Sequence, residues 1–247
     1  KISFITESRA YSATLERDEL LLALQDQAVF CCGDTKADAR RLSKGCEICT
    51  KGEWSCLFIH SQCNSRCFYC PARQEGESVP MTNTLPFPTA EEYIEYIQKI
   101  GYTGVSFSGG EPLLVLDKTL EYLRKVKQTF GDRIYTWLYT NGIKADEDVL
   151  WQLKDAGLDE IRFDIGATNM GLEKAIMAVK YMDTVTVEIH AIPEEAETMK
   201  DIILKMADAG IDHLNLHQLR LTPYNFPHLT SRDYTFLHGE RVTVLES

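Results

Sequence analysis

No stretch of this 247-residue sequence is apolar for long enough to cross a membrane, and no signal-peptide pattern opens it. A membrane-spanning chain is therefore not expected. Basic residues are in short supply: 26 Lys and Arg stand against 37 Asp and Glu, for a net charge of −11. So acidic a chain lacks the basic face that nucleic acid or an anionic membrane needs. The local run Arg40-Arg41 with Lys44 is at most a small contact patch, and otherwise a solvated helix face. Cysteine is missing altogether beyond position 70, although the chain holds eight. Crowding of this kind in a chain of this size argues against a disulfide scaffold. It favours metal ligands in a reducing, cytoplasmic setting.

What is present is an ordinary globular composition, 44% hydrophobic and 26% charged, at a length that buries one sizeable core. The chain opens on Lys1 rather than Met, so a leading segment is expected to precede it, and its far end is likewise open to truncation.

The rest is organised around Cys63-Asn-Ser-Arg-Cys67-Phe-Tyr-Cys70, which follows a short strand, Leu57-Phe-Ile-His60. Three thiolates at C-x3-C-x2-C suit an iron–sulfur cluster in which each of three irons takes one cysteine. A [4Fe–4S] cluster so held keeps one iron open to another ligand, as a catalytic metal site does. The alternatives are a zinc site, which usually closes with four ligands, and a group of buried thiols.

Upstream lie Cys31-Cys32-Gly33, a polar stretch over Lys36–Ser43 predicted to be helical, and Gly45-Cys46-Glu-Ile-Cys49-Thr-Lys-Gly52. C-x2-C followed by glycine resembles a metal knuckle. Cys32, Cys46, Cys49 and Cys56 together would supply four thiolates for a second iron–sulfur cluster, an iron or a zinc; Cys31 is the alternative to Cys32. The other reading makes them small buried residues of a lid, with Cys56 facing the core at the start of the first barrel strand.

Periodicity places a short strand at Ile2–Ile5 and a helix over Arg17–Gln27, with Leu20, Leu21 and Leu24 as its packing stripe. From Trp54 onward, strands alternate with helices of ten to fifteen residues, the signature of βαβ units and a parallel sheet. Thr89-Ala-Glu-Glu92 reads as a capping box opening a helix that Gly101 closes. Further helices are predicted over 116–130, 146–156, 172–182 and 194–209, with strands at 104–107, 134–139, 160–165, 184–190 and 213–216. Pro71–Pro88 is a loop by composition, and Tyr234–Leu245 a hairpin candidate turning at His238-Gly239. The fold class is thus α/β, divided into an N-terminal segment (1–53), a barrel of six βα units (54–217) and a C-terminal extension (218–247).

A second motif sharpens the reading: strand Val105-Ser-Phe107 runs into Ser108-Gly109-Gly110-Glu111-Pro112. With Tyr69 before the last cysteine, the two motifs resemble the signatures of the radical S-adenosylmethionine (radical SAM) superfamily. That resemblance implies a partial (β/α)6 TIM-like barrel carrying a [4Fe–4S] cluster on Cys63, Cys67 and Cys70. It implies reductive cleavage of S-adenosylmethionine to a 5′-deoxyadenosyl radical, which takes a hydrogen atom from an unidentified small molecule, peptide or protein. An electron donor such as flavodoxin or ferredoxin would supply the reducing electron. Asn64 and the Gly-Gly-Glu-Pro-Leu run are similar to the branch of activating enzymes and peptide-modifying maturases. The cysteine-free tail lacks the C-terminal cluster domain that many peptide-modifying relatives carry.

Ligands bind at the carboxyl ends of parallel strands, where these motifs collect. Ser108, Gly109 and Gly110 are assigned to close backbone approach to the methionine moiety, and Glu111 to its cationic amine. Tyr69 is placed near the adenine, and Asn141, Asp164 and Glu188 at the ribose hydroxyls. Arg162 either binds a substrate carboxylate or closes a salt bridge inside the barrel; His190, His213 and His217 are read as structural. The competing function is an iron–sulfur electron-transfer protein without substrate chemistry.

Overall fold

A threonine sets where the first helix begins. Thr6 accepts from the Arg9 N–H and caps α1 (Glu7–Leu24), in a computed structural model that describes residues 2–31, 36–39, 42–74, 76 and 78–247. The helix therefore starts well before the predicted Arg17. None of its residues is buried, so Leu20, Leu21 and Leu24 do not form a core stripe. The strand expected at Ile2–Ile5 is reduced to a bridge between Phe4 and Phe236.

An antiparallel hairpin follows, β1 (Val29–Cys31) with β2 (Lys36–Asp38), pairing Cys31 with Lys36. Residues 36–38 are thus strand where a helix was predicted over 36–43. The helix begins later because Ser43 accepts from the Cys46 N–H at 3.2 Å and caps α2 (Lys44–Thr50). Cys32, Arg40 and Arg41 lie outside the described residues.

The barrel strands are β3 (Trp54–Phe58), β6 (Gly104–Ser108), β7 (Tyr135–Thr140), β8 (Glu160–Phe163), β9 (Thr184–His190) and β10 (His213–His217), paired in that order and all parallel. Between them run α3 (Ala90–Ile100), α4 (Leu116–Phe130), α5 (Glu147–Asp155), α6 (Glu173–Ala178) and α7 (Ala196–Ala209). The sheet stays open, because β10 does not pair with β3 among the described residues. A short hairpin, β4 (Met81–Thr82) with β5 (Leu85–Pro86), adds antiparallel to the free edge of β3. Part of the predicted loop 71–88 is therefore sheet. This is a partial (β/α)6 barrel. No helix among the described residues is long and apolar enough to cross a membrane.

Strand alternation divides the residues into two sets. Outward-facing Val105, Phe107, Leu138, Ile161, Val185 and Val187 pack under Ile97, Leu123, Leu150, Leu153 and Ile202 of the helices. Inward lie Ser106, Tyr139, Glu160, Arg162, Thr186 and Glu188, a polar interior where barrels usually carry branched apolar layers. The helix α2 closes the floor. A Cβ on its Gly45 would come 2.5 Å from Arg162 Nη2 and 2.8 Å from Glu160 Oε2.

After β10, a short helix α8 (Phe226–Leu229) and a pair β11 (Phe236–Leu237) and β12 (Thr243–Val244) complete the chain. The predicted hairpin forms over these two pairs, joined by residues 238–242 rather than by a two-residue turn. A separate apolar cluster, Ile192, Leu219, Leu229, Phe236 and Val244, packs against Tyr69 and so seats this extension on the cysteine loop.

Candidate functional site

The carboxyl ends of the barrel strands open onto a cavity of ≈ 310 Å³. Cys63, Cys67 and Cys70 line it, together with Tyr69, Ser108, Gly109, Gly110, Glu111, Asn141, Asp164 and Glu188. Trp54 and Cys56 reach it from β3, whereas Cys46 and Cys49 are not among its lining residues. Every residue nominated for the cluster or the cofactor therefore meets in one place.

The glycine-rich turn is zipped to the stem of the cysteine loop. Ile59 N–H donates to Ser108 O at 2.9 Å, Gly110 N–H to His60 O at 2.7 Å, and Glu111 N–H to Gln62 O at 2.8 Å. The contact is backbone on backbone. A Cβ on Gly110 would overlap the Gln62 carbonyl, and one on Gly109, at φ 128°, would overlap that of His60. The sequence assigns both glycines to ligand approach; the structure supplies a nearer cause in the chain itself.

Glu111 is also occupied. Its Oε1 accepts from Leu113 N–H at 3.0 Å and Thr140 Oγ1–H at 2.7 Å, and its Oε2 from Asn141 N–H at 2.7 Å. Burial pushes its carboxyl above the usual range, and these donors oppose that shift. Three donors thus take most, not all, of the carboxylate's acceptor capacity, and they brace two turns. Asn141 continues the chain: its Nδ2 donates to Asn64 Oδ1 at 2.7 Å and to Cys63 Sγ at 3.7 Å, and its Oδ1 accepts from Ile143 N–H at 3.0 Å. The side chain expected at a ribose thus holds the cysteine loop.

Tyr69 donates to Asp164 Oδ1 at 2.8 Å, and Gly166 N–H donates to the same oxygen at 3.1 Å. Burial pushes Asp164 up to about 6 against these hydrogen bonds. The Tyr69 ring lies 4.9 Å from that of His190. Its carbonyl accepts from Asn225 Nδ2 at 3.0 Å, a link to the C-terminal extension with no sequence signal beyond a common turn residue.

Ser65 N–H donates to Cys63 Sγ at 3.4 Å, and Ser65 Oγ lies 3.2 Å from Cys67 Sγ. Burial raises all three thiols of the triplet, so three thiolates here would be costly without a cation to take their charge. Among the described residues no three metal-ligating side chains converge on a single ion. Sulfurs on one loop that face the cavity and have N–H and hydroxyl partners suit an iron–sulfur cluster, whose ligands sit on separate irons. The donor set fits that group.

At the cavity floor Arg162 settles between its two readings. Its Nε donates to Glu160 Oε1 and its Nη1 to Glu188 Oε2, each at 2.7 Å, and its Nη2 to Ser43 Oγ at 3.2 Å. It closes salt bridges within the barrel. Glu188 also accepts from Asn215 Nδ2 at 2.8 Å and lies 2.9 Å from His217 Nε2, so this cavity-lining carboxylate is engaged within the protein as well. Burial pushes Glu188 up, but His217, Arg162 and Asn215 outweigh it and hold the carboxyl at about 2.

The sequence model of the radical SAM superfamily matches residues 57–213, more than half of the chain. A protein of Methanocaldococcus jannaschii named as a glycyl-radical enzyme activating enzyme is 34% identical over 209 residues, covering 78% of this chain and 54% of that protein. The GTP 3′,8-cyclase of Aquifex aeolicus is 34% identical over 114 residues, covering 46% of this chain and 35% of the cyclase. The chain thus spans about half the length, or less, of these relatives. Among solved structures, Streptococcus suis SuiB bound to S-adenosylmethionine superposes with a TM-score of 0.54 at 14% identity, over 70% of this chain and 42% of SuiB, a likeness of fold. Six parallel βα units, a C-x3-C-x2-C loop braced by a Gly-Gly-Glu turn at their mouth, and the family match over that same span agree: this chain belongs to the radical SAM superfamily.

Proposed function

We propose that Cys63, Cys67 and Cys70 hold a [4Fe–4S] cluster and that S-adenosylmethionine binds in the adjoining cavity, with residues 54–217 as the catalytic unit. When bound, the cluster supplies the electron that cleaves S-adenosylmethionine to methionine and a 5′-deoxyadenosyl radical, which abstracts a hydrogen atom from the substrate. The observation that carries this reading is the position of the three thiols on the wall of a cavity at the carboxyl ends of the strands.

The protein's part is positioning. Glu111, Asn141 and the turn glycines fix the cysteine loop; Tyr69 and Asp164 form one polar wall, and Arg162 with Glu188 the charged floor. A cavity of ≈ 310 Å³ beside the cluster loop supports substrate chemistry over a carrier of electrons alone. The named relative from M. jannaschii supports a protein or peptide substrate, and a small reductant such as flavodoxin or ferredoxin would deliver the electron. Equilibrium dialysis with labelled S-adenosylmethionine tests the cofactor. The iron-loaded protein should bind about one per chain, and Cys63→Ala/Cys67→Ala/Cys70→Ala none; equal binding by both would refute the assignment.

A further inference from the structure

A second group of thiols gathers below the cavity, apart from the triplet. Cys46 and Cys49 stand three residues apart on α2 and so share one face of the helix. Cys56 reaches inward from the middle of β3, and Cys49 lies within electrostatic reach of both Cys46 and Cys56. A third segment arrives from the N-terminal hairpin. Cys31 pairs with Lys36, and Lys36 is itself within electrostatic reach of Cys49, which brings the Cys31 end of β1 to the same side of the barrel. Three separate pieces of chain converge here with sulfur.

Burial raises the Cys49 and Cys56 thiols, yet polar and charged groups are aimed at this cluster of sulfurs. Asn215 Nδ2 donates to Cys46 Sγ at 3.2 Å. The Arg162 guanidinium, 3% exposed, acts on both Cys46 and Cys49. Around a thiolate-bound cluster, the Asn215 N–H on Cys46 and the nearby Arg162 cation would balance its charge and tune its potential.

We infer that Cys46, Cys49 and Cys56, with a fourth thiolate from Cys31, bind a second iron–sulfur cluster at the floor of the barrel. Because Cys56 also lines the main cavity, this cluster abuts the space in which the substrate is proposed to sit. The site needs none of the triplet's residues, so the two assignments stand or fall separately.

The test is metal and sulfide content with electron paramagnetic resonance after anaerobic reconstitution, on wild type, Cys63→Ala/Cys67→Ala/Cys70→Ala and Cys46→Ala/Cys49→Ala. Each variant should keep about half of the wild-type iron and show one of two signals that add up to the wild-type spectrum. Asn215→Leu should keep all the iron and shift the reduction midpoint of only the signal that survives in the triplet variant. An iron-free triplet variant, a Cys46→Ala/Cys49→Ala variant with full iron, or zinc in place of iron would overturn the proposal. Should Cys46→Ala/Cys49→Ala fail to fold by circular dichroism, the triplet variant decides alone, since it leaves the floor intact.

Discussion

Glu111 Oε2 accepts the Asn141 N–H at 2.7 Å, and through this one contact the turn after β6 grips the turn after β7. Asn141 in turn holds Asn64 and Cys63, so the carboxylate is the first link of a chain that ends on the cysteine loop. Glu111→Ala strands three buried donors, those of Leu113, Thr140 and Asn141. At about 1–3 kcal/mol for each unsatisfied group, with partial relief from water, the loss should be about 3 kcal/mol. Urea unfolding and bound iron should fall together. Stability within about 0.5 kcal/mol of wild type would show the brace to be dispensable.

Two glycine substitutions separate crowding from conformation. Gly110→Ala places a methyl inside the Gln62 carbonyl, so the loop stem must move and iron bound by the triplet should be largely lost. Gly101→Ala, at the left-handed end of α3 with open space around it, should cost about 1 kcal/mol and leave iron unchanged. Iron content of the two purified variants makes the comparison.

Arg162 bridges Glu160 and Glu188 with side-chain exposures of 3%, 0% and 12%. Arg162→Met leaves two buried carboxylates without their cation, which should cost about 3–5 kcal/mol. Arg162→Lys should recover little, because a point charge cannot span Glu160, Glu188 and Ser43 together. Arg162→Met/Glu160→Gln/Glu188→Gln should recover most of the loss. Urea midpoints at pH 7 decide between them.

Acid should weaken the fold through His190. Burial, then the His217 charge, lowers its folded value from 6.5 to about 4, against an opposing pull from Glu188; Arg220 also lowers it and the Tyr69 ring packs on it. The unfolded chain therefore takes up the proton first. Stability is full above 6.5 and drains as pH falls toward 4, by about 2 kcal/mol between pH 7 and pH 5. His190→Gln should flatten that stretch of the urea-midpoint profile. Glu188, at about 2 in the fold, loses its contribution only in stronger acid, below the ordinary 4.5. An unchanged slope in the His190 variant would place the acid sensitivity elsewhere.

Local chemistry was the most readable part of the sequence. Thr89 and Gly101 bound α3 as their types predict, and the triplet's spacing placed three thiols on one loop. Regular alternation of strand and helix segments marked the parallel strands, whose outer faces are buried under helices. Partnership across the barrel was not readable. Glu111 meets donors from β7, Glu188 meets Arg162 from β8 and Asn215 from β10, and Tyr69 meets Asn225, all long-range pairs set only by the assembled fold. The internal partners of the cavity-lining residues were for that reason not legible in the sequence. Errors at the N-terminal end have a local cause: Thr6 and Ser43 are caps whose neighbours carry no strong periodic pattern, so both helix starts were misplaced.

The most direct test of the central claim is anaerobic turnover: reconstitution with iron and sulfide, reduction in the presence of S-adenosylmethionine, and quantification of 5′-deoxyadenosine. Wild type should release it, and Cys63→Ala/Cys67→Ala/Cys70→Ala should release none. Wild type yielding no more 5′-deoxyadenosine than that variant, while holding its full complement of iron, would contradict the account.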